Sequence, residues 1–427
     1  MKKGLSILSI MCLLAVAGAF HGCKKATVPE LTTVDVTQIT LNSAVSGGTI
    51  KSDGGEDITE KGVCWSTTTG PTIADSKTSD GKGSANFTSN LVGLAEGQPY
   101  YVRAYATNSV GTAYGNEVTF TTAQVTGAAL TTTEATAITP SSATAGGNVT
   151  DAGGGTVSAR GVCWGTAEHP TIIADSKTTN GTGTGSFTSS LTGLANGTVY
   201  YYRAYATNSS GTTYGQEYHF ITPVADIEGN VYQTVKIGTQ VWMAENLKTT
   251  KYNDDAAIPT VTENADWIAL TTDAYCWAQN NETTYKPLYG ALYNWYAVET
   301  GKLCPTGWHM PTDAEFITME VSLGMTQVDA SGTEFRGTDQ GKQMKSTTGW
   351  AEGENGTNTS GFTALPAGYR AYGTGISEGL GLITYWWTAT MTDQDIAVYR
   401  RLDGDSDQVY RLGTYKRAGK SVRCVKD

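Results

Sequence analysis

Histidine is scarce in this sequence: four in 427 residues, His21, His169, His219 and His309. None has a second histidine nearby, which leaves no basis for a zinc site of paired imidazoles, and any serine triad would have to use His309. Charge is also sparse, at 16% of residues, and it is lopsided: 29 basic against 40 acidic side chains, a net charge of −11. No basic run occurs, so nucleic acid is a poor partner for this chain. Long apolar runs are missing after Ala19, and spanning a bilayer takes about 20 such residues. What is plentiful is glycine, 51 in all, together with threonine and serine. That composition predicts short strands and turns rather than helices. At roughly 100–200 residues per domain, the length implies two or more domains.

The first residues set the expected compartment. Lys2 and Lys3 precede an apolar stretch from Leu5 to Ala19, the layout of a secretory signal. The stretch leads into Gly22-Cys23, which resembles the lipobox of bacterial lipoproteins. The resemblance implies a signal peptide over 1–22, lipidation at Cys23 and a tether over 23–30. Cleavage after Ala17-Gly18-Ala19 is the competing reading and would release a secreted or periplasmic protein. The lipobox is preferred because a cysteine stands where only that pathway needs one. Several acyl chains, at about 0.8 kcal/mol per buried CH₂, would hold the protein at the outer membrane or cell surface. Removing residues 1–22 takes two lysines, leaving 27 basic and 40 acidic residues, a net charge of −13.

Two copies of one unit follow. GGTIKSDGGEDITEKGVCW, from Gly47, recurs as GGNVTDAGGGTVSARGVCW from Gly146, and YYVRAYATN recurs as YYYRAYATN. Cys64 and Cys163 are 99 residues apart, and Arg103 and Arg203 are 100 apart. A period of that size with short strands predicts one sandwich per copy, over 31–122 and 128–222. In YYVRAYATN, alternation puts Tyr100, Val102, Ala104 and Ala106 in the core and turns Tyr101, Arg103, Tyr105 and Thr107 toward water. Leu94 followed by Tyr100, and Leu194 by Tyr200, resembles the tyrosine corner of fibronectin type III domains. Each copy has a single cysteine, read as a small buried strand residue. The copies are best understood as a spacer, with a weaker binding role conceivable for the Arg103/Tyr105 and Arg203/Tyr205 stripes.

Composition shifts at Pro223, beyond which eight of the ten tryptophans lie. NVYQTVKIGTQVWMAENL predicts two strands around a turn at Gly238. YGALYNWYAVE and PTDAEFITMEVSLG predict helices, the second opened by a Thr312/Glu315 capping box and closed near Gly324. The remainder predicts strands, including a hairpin through LDGDSDQ, so the whole region is expected to be α+β. Trp386 and Trp387 should face opposite sides of one strand, leaving one available to stack on a sugar. Asp403, Asp405 and Asp407 alternate as oxygen ligands for calcium would, but the EF-hand spacing and its terminal glutamate are missing, and an acidic turn exposed to water is the preferred reading.

The strings WMAENLKT, LYGALYNWYA, CPTGWHMPTDAEF, GFTALPAGYR, YWWTAT and SVRCVKD are similar to the Fibrobacter succinogenes major paralogous domain, over about residues 226–427. That family occurs on exported proteins of Gram-negative bacteria, and its element order resembles the C-type-lectin-like fold. The resemblance implies a disulfide between Cys304 and Cys424, with two buried thiols as the alternative, and leaves Cys276 as a packed thiol. It implies no catalytic residues, no resident metal and no cofactor. The function expected is a non-catalytic lipoprotein that displays a lectin-like domain on a β-sandwich stalk to bind glycan or envelope protein. A purely structural envelope component is the alternative, and an enzyme the least favoured. Binding is expected in loops near the late hairpin, with Asp403, Asp405 and Asp407 as polar candidates and Trp350 and Tyr372 as apolar ones.

Overall fold

The computed structural model describes residues 25–427. Cys23 and the proposed signal peptide lie outside the described residues. Among those described, no helix is long and apolar enough to cross a membrane. The chain forms two compact units, one ending at Thr126 and the other spanning Gly127–Asp427.

The first unit holds the first sandwich. Strands Glu30–Thr37, Ser43–Ser52 and Phe87–Val92 form one antiparallel sheet. In the other, Pro99–Thr107 pairs with Glu60–Ser66 on one side and with Thr112–Tyr114 and Val118–Thr121 on the other. Trp65, Leu91, Tyr100, Val102 and Phe120 fill the space between the sheets. Phe87, the partner of Gly48 across the same sheet, folds its ring over that position: a Cβ on Gly48 would come within 2.5 Å of the ring and 3.0 Å of Ala104 in the facing sheet, which is why glycine occupies it. The second unit begins with the same arrangement, built on Val199–Asn208 as the central strand. Each tyrosine corner closes as the sequence implied. The Tyr100 hydroxyl accepts from the Ala95 amide and the Tyr200 hydroxyl from the Ala195 amide, both at 3.0 Å.

One face of these strands departs from simple alternation. Tyr105 is 0% and Tyr205 2% exposed, where water was expected. A short strand, Ser76–Lys77 in one copy and Ser176–Lys177 in the other, and the segment after it cover that face, and each tyrosine hydroxyl donates to the carbonyl of Thr78 or Thr178. Arg103 and Arg203 lie over the rings of Tyr114 and Tyr214. The stripes are therefore internal struts rather than an open binding surface. Cys64 and Cys163 are buried and free, and burial pushes both thiols up to about 11. Thiols held protonated in this way are poor nucleophiles.

The C-terminal domain has a six-stranded sheet in the order Glu334–Arg336, Val409–Tyr415, Ile396–Asp403, Ile383–Met391, Ala367–Arg370, Ser377–Leu380. A smaller sheet joins Thr234–Ile237, Gln240–Met243, Val425–Lys426 and Trp308–His309. Successive side chains of the strand Ile383–Met391 enter different cores. Trp386 packs with Trp242, Phe316 and Phe362, and Trp387 with Met243, Tyr293 and Trp295. Both indoles are 0% exposed, so neither is left to stack on a sugar.

The helix Asp313–Ser322 carries the complete Thr312/Glu315 capping box. YGALYNWYAVE does not form one helix. Gly290 takes a φ of +70° and ends the helix Glu282–Tyr289, and Ala291–Tyr293 then pairs with Tyr275–Trp277. Burial of that ribbon overrides helical propensity, and the chain becomes helical again only at Trp295–Glu299. Within the second unit this domain docks on the second sandwich. The Lys426 ammonium reaches the Gly197 carbonyl at 2.9 Å and the Thr198 hydroxyl at 2.7 Å, and the Trp308 ring closes over Gly197.

Candidate functional site

The six family-like strings are brought together at Asn246 and by the residues Ser421, Arg423 and Cys424, which lead into the last strand. The Asn246 side-chain oxygen accepts from Arg423 Nε and from Trp386 Nε1, each at 2.9 Å. Its amide donates to the Tyr289 carbonyl at 2.9 Å and to Ser421 Oγ at 3.2 Å. Arg423 also donates to the carbonyls of Phe362 and Thr363, and burial lowers its pKa to about 9. Residues of five strings thus meet around one asparagine. The sixth, CPTGWHMPTDAEF, is tied in covalently, because Cys304 and Cys424 form a disulfide. Cys276 is buried and free, with burial raising its thiol to about 11. Every donor and acceptor of Asn246 is used, which marks the strings as scaffold: a satisfied buried network holds one arrangement and offers nothing to a ligand.

A second buried network lies under the helix Asp313–Ser322. Glu320 accepts from Arg400 Nε at 2.7 Å and from Arg336 Nη2 at 2.8 Å, and Asp313 accepts from Arg400 at 2.6 Å and from Arg411 at 2.6 and 2.8 Å. Burial works against ionisation of Asp313, but the hydrogen bonds and charges of Arg411 and Arg400 outweigh it and bring its pKa down to about 2. His309 bridges two carboxylates, Asp427 at 2.6 Å and Glu315 at 2.7 Å. Burial disfavours its charged form, yet those two hydrogen bonds prevail and hold its pKa above the ordinary value. An imidazolium clamped at both nitrogens has no free lone pair with which to act as a base. The string Gly375-Ile376-Ser377-Glu378-Gly379 has the spacing of a nucleophile elbow, but Ser377 begins an edge strand instead of a strand-to-helix turn.

The acidic hairpin has its own cation. The Lys345 ammonium is buried and donates to the carbonyls of Asp403 at 3.1 Å, Gly404 at 2.7 Å and Ser406 at 3.1 Å, beneath the Trp350 ring. The Asp403 carboxylate is buried and gripped by Arg401, and Asp407 pairs with Lys342 at 3.2 Å. Among the described residues, no three carboxylate, histidine or cysteine side chains group as a metal would require. With Asp403 drawn to Arg401 and Asp407 to Lys342, the three carboxylates do not gather as a calcium ion would need. Trp350, expected as an open apolar contact, is 6% exposed and donates to the Ala364 carbonyl at 2.9 Å. It belongs to the core because lysine and indole together seal the base of the hairpin.

Tyr372 is where an exposed aromatic was expected. It is 39% exposed, and its ring lies 4.8 Å from that of Tyr415, itself 43% exposed. Arg417 stands beside both, its guanidinium 5.3 Å from the Tyr415 ring and 6.0 Å from the Tyr372 ring. Two connections carry these groups, and buried side chains fix both. Arg370, 1% exposed, donates to the carbonyls of Gly375 at 2.8 Å, Val261 at 2.7 Å and Thr262 at 2.6 Å, and it stacks on Trp267. Trp267 Nε1 in turn holds the Arg417 carbonyl at 2.8 Å. Arg370 and Gly419 exchange both backbone hydrogen bonds, at 2.8 and 2.9 Å, which brings the two connections side by side. Gly375, with φ +68°, lets the loop pass against the Asn264 backbone. The result is a rigid, open pair of rings with a cation alongside. It lies just after GFTALPAGYR and just before SVRCVKD, in the connections between scaffold strings. Sequence reading found Tyr372 but missed Tyr415 and Arg417, whose only sequence signal is aromatic and basic character at the end of a strand.

Residues 235–426 match the family described as the Fibrobacter succinogenes major domain. No curated protein matches the chain. Among solved structures, the FN1–FN3 domains of chicken CNTN1 are similar at 15% identity over 46% of this chain and 69% of that one, with a TM-score of 0.21. The sensor domain of the anti-sigma factor RsgI4 of Pseudobacteroides cellulosolvens is similar at 16% identity over 23% of this chain and 97% of that one, with a TM-score of 0.19.

Proposed function

We propose that this protein is a non-catalytic, lipid-anchored envelope lipoprotein whose C-terminal domain binds glycan, with the two sandwiches as spacer. The observation that carries the reading is the exposed Tyr372–Tyr415 pair on fixed connections. Tyrosine faces stack on the C–H face of a sugar ring, and rigid loops present them at little entropic cost. The fold reading that goes with it is C-type-lectin-like, in which loops beside a sheet take the ligand. Cys23 is the proposed lipid site, and the outer membrane or cell surface the proposed location. A secreted or periplasmic protein is the outcome if lipidation fails. Glycan-array screening of the full chain tests the function: defined saccharides should bind, and Tyr372→Ala with Tyr415→Ala should remove the signal without lowering the melting temperature. Absence of any saccharide signal would reject it. A structural envelope role is the second reading, favoured by an apolar groove of about 480 Å³ lined by Ile396, Val398 and Leu412. Self-association lost on Leu412→Lys would support that role.

A further inference from the structure

Arg417 is chemically out of step with the rest of its domain. Arg370, Arg400, Arg401, Arg411 and Arg423 all donate to carboxylates, carbonyls or a side-chain amide. Arg336 leaves its Nε unmet but holds Glu320 through Nη2. Alone among the arginines of this domain, Arg417 has no carboxylate in ion-pair range and no acceptor for any side-chain N–H, and its Nε is buried without a partner. Its backbone, by contrast, is held by Trp267. In a chain with a net charge of −11, an unpaired guanidinium beside two exposed rings is a marked local reversal of charge.

An unmet buried N–H is a net cost to the fold, and the two exposed rings return only a modest attraction to the guanidinium. Its N–H groups find an acceptor only when something outside the chain supplies one. The guanidinium is a planar fork suited to a two-oxygen anion. A pyranose stacked on Tyr372 and Tyr415 would direct its ring substituents sideways, toward Arg417.

We propose that the ligand of this patch is an acidic sugar, with the ring taken by Tyr372 and Tyr415 and its carboxylate by Arg417. This rests on the glycan-binding reading above and names the class of sugar. The test uses the full chain and uronic-acid oligosaccharides (galacturonate, glucuronate and mannuronate), each against its own methyl ester, which keeps the ring and removes the charge. At least one acid should bind about tenfold more tightly than its ester at low salt, as a charge-assisted hydrogen-bonded pair permits, and the preference should shrink as salt rises. Arg417→Gln should bring the acid-to-ester ratio to about one. Tyr372→Ala should weaken both forms. Arg417→Gln should also melt close to the wild type, since the side chain has no acceptor to lose and only its contacts with two exposed rings go. Equal binding of acid and ester, or a preference that survives Arg417→Gln, would overturn the acidic-sugar assignment while leaving glycan binding intact. Failure of acids, esters and neutral glycans alike would overturn both.

Discussion

In the first sandwich one cation is buried: Lys61, whose ammonium donates to the carbonyls of Gly83 and Ala85 over the Phe87 ring. The second sandwich puts Arg160 in the same role, on Gly183, Thr184 and Gly185 over Phe187. The C-terminal domain buries Arg336, Lys345, Arg370, Arg400, Lys416, Lys420 and Arg423 against only three buried carboxylates, Asp313, Glu320 and Asp403. Most of that positive charge rests on carbonyls and rings. Lys420 is the extreme case: its ammonium lies 3.8 Å from the Tyr385 ring centre and 4.1 Å from that of Tyr399, and burial, with Arg401 nearby, drives its pKa well down. The sandwiches need only two apolar sheet faces and tolerate Lys or Arg at the same post. The C-terminal domain needs particular polar partners far apart in sequence, so it is more specific and more easily broken.

That contrast predicts an order of effects. Glu320→Ala leaves Arg400 and Arg336 without their carboxylate and should cost about 3–5 kcal/mol, read as a fall in denaturation midpoint. Lys61→Met should cost about 1 kcal/mol, because its carbonyl partners belong to exposed residues that water can serve. If the two substitutions cost the same, the comparison fails. Loss of the Cys304–Cys424 disulfide by reduction should lower stability by about 2–5 kcal/mol in the C-terminal domain and leave the first sandwich unchanged, which domain-resolved hydrogen exchange would show.

The pH dependence should separate the regions as well. Asp313 has a folded pKa of about 2 against an ordinary 3.8. Its contribution is complete above about pH 4 and is lost as pH falls toward 2. Asp313→Asn should flatten the acid limb of the stability profile by about 2 kcal/mol. His309 has the opposite sign. Its raised folded pKa means its contribution is complete below the unfolded value near 6.5 and is lost as pH rises through the folded one. His309→Gln should therefore destabilise more at pH 6 than at pH 8.5. At the small end, alongside Lys61→Met, Cys64→Ala and Cys163→Ala should each cost about 1 kcal/mol, equally, since both thiols serve the same post in one repeated fold.

Legibility followed the same division. Alternation in YYVRAYATN was enough to place Tyr100, Val102, Ala104 and Ala106 in the core. It failed for Tyr105 and Tyr205 because a period of two cannot reveal a separate segment crossing the outer face. Local chemistry was enough for the Thr312 cap and the Gly238 turn. It was not enough for Ala291–Tyr293, whose strand state comes from pairing with Tyr275–Trp277. Trp350 and Asp403 lie in a glycine-rich, polar stretch that reads as open, yet Lys345 and Arg401 draw them inward. Half of the candidate patch was readable as an aromatic in a glycine-rich connection. The other half depends on Arg370 pairing with Gly419, a contact no local pattern encodes.

The claim that ligand chemistry belongs to the C-terminal patch, with the sandwiches as scaffold, meets its most direct test in hydrogen-exchange mass spectrometry. The full chain would be compared with and without its tightest-binding saccharide. The account predicts protection confined to residues 371–376 and 415–418, and none on the strands carrying Arg103 and Arg203. Protection on those strands or around 403–408, or no saccharide that protects any segment, would contradict it.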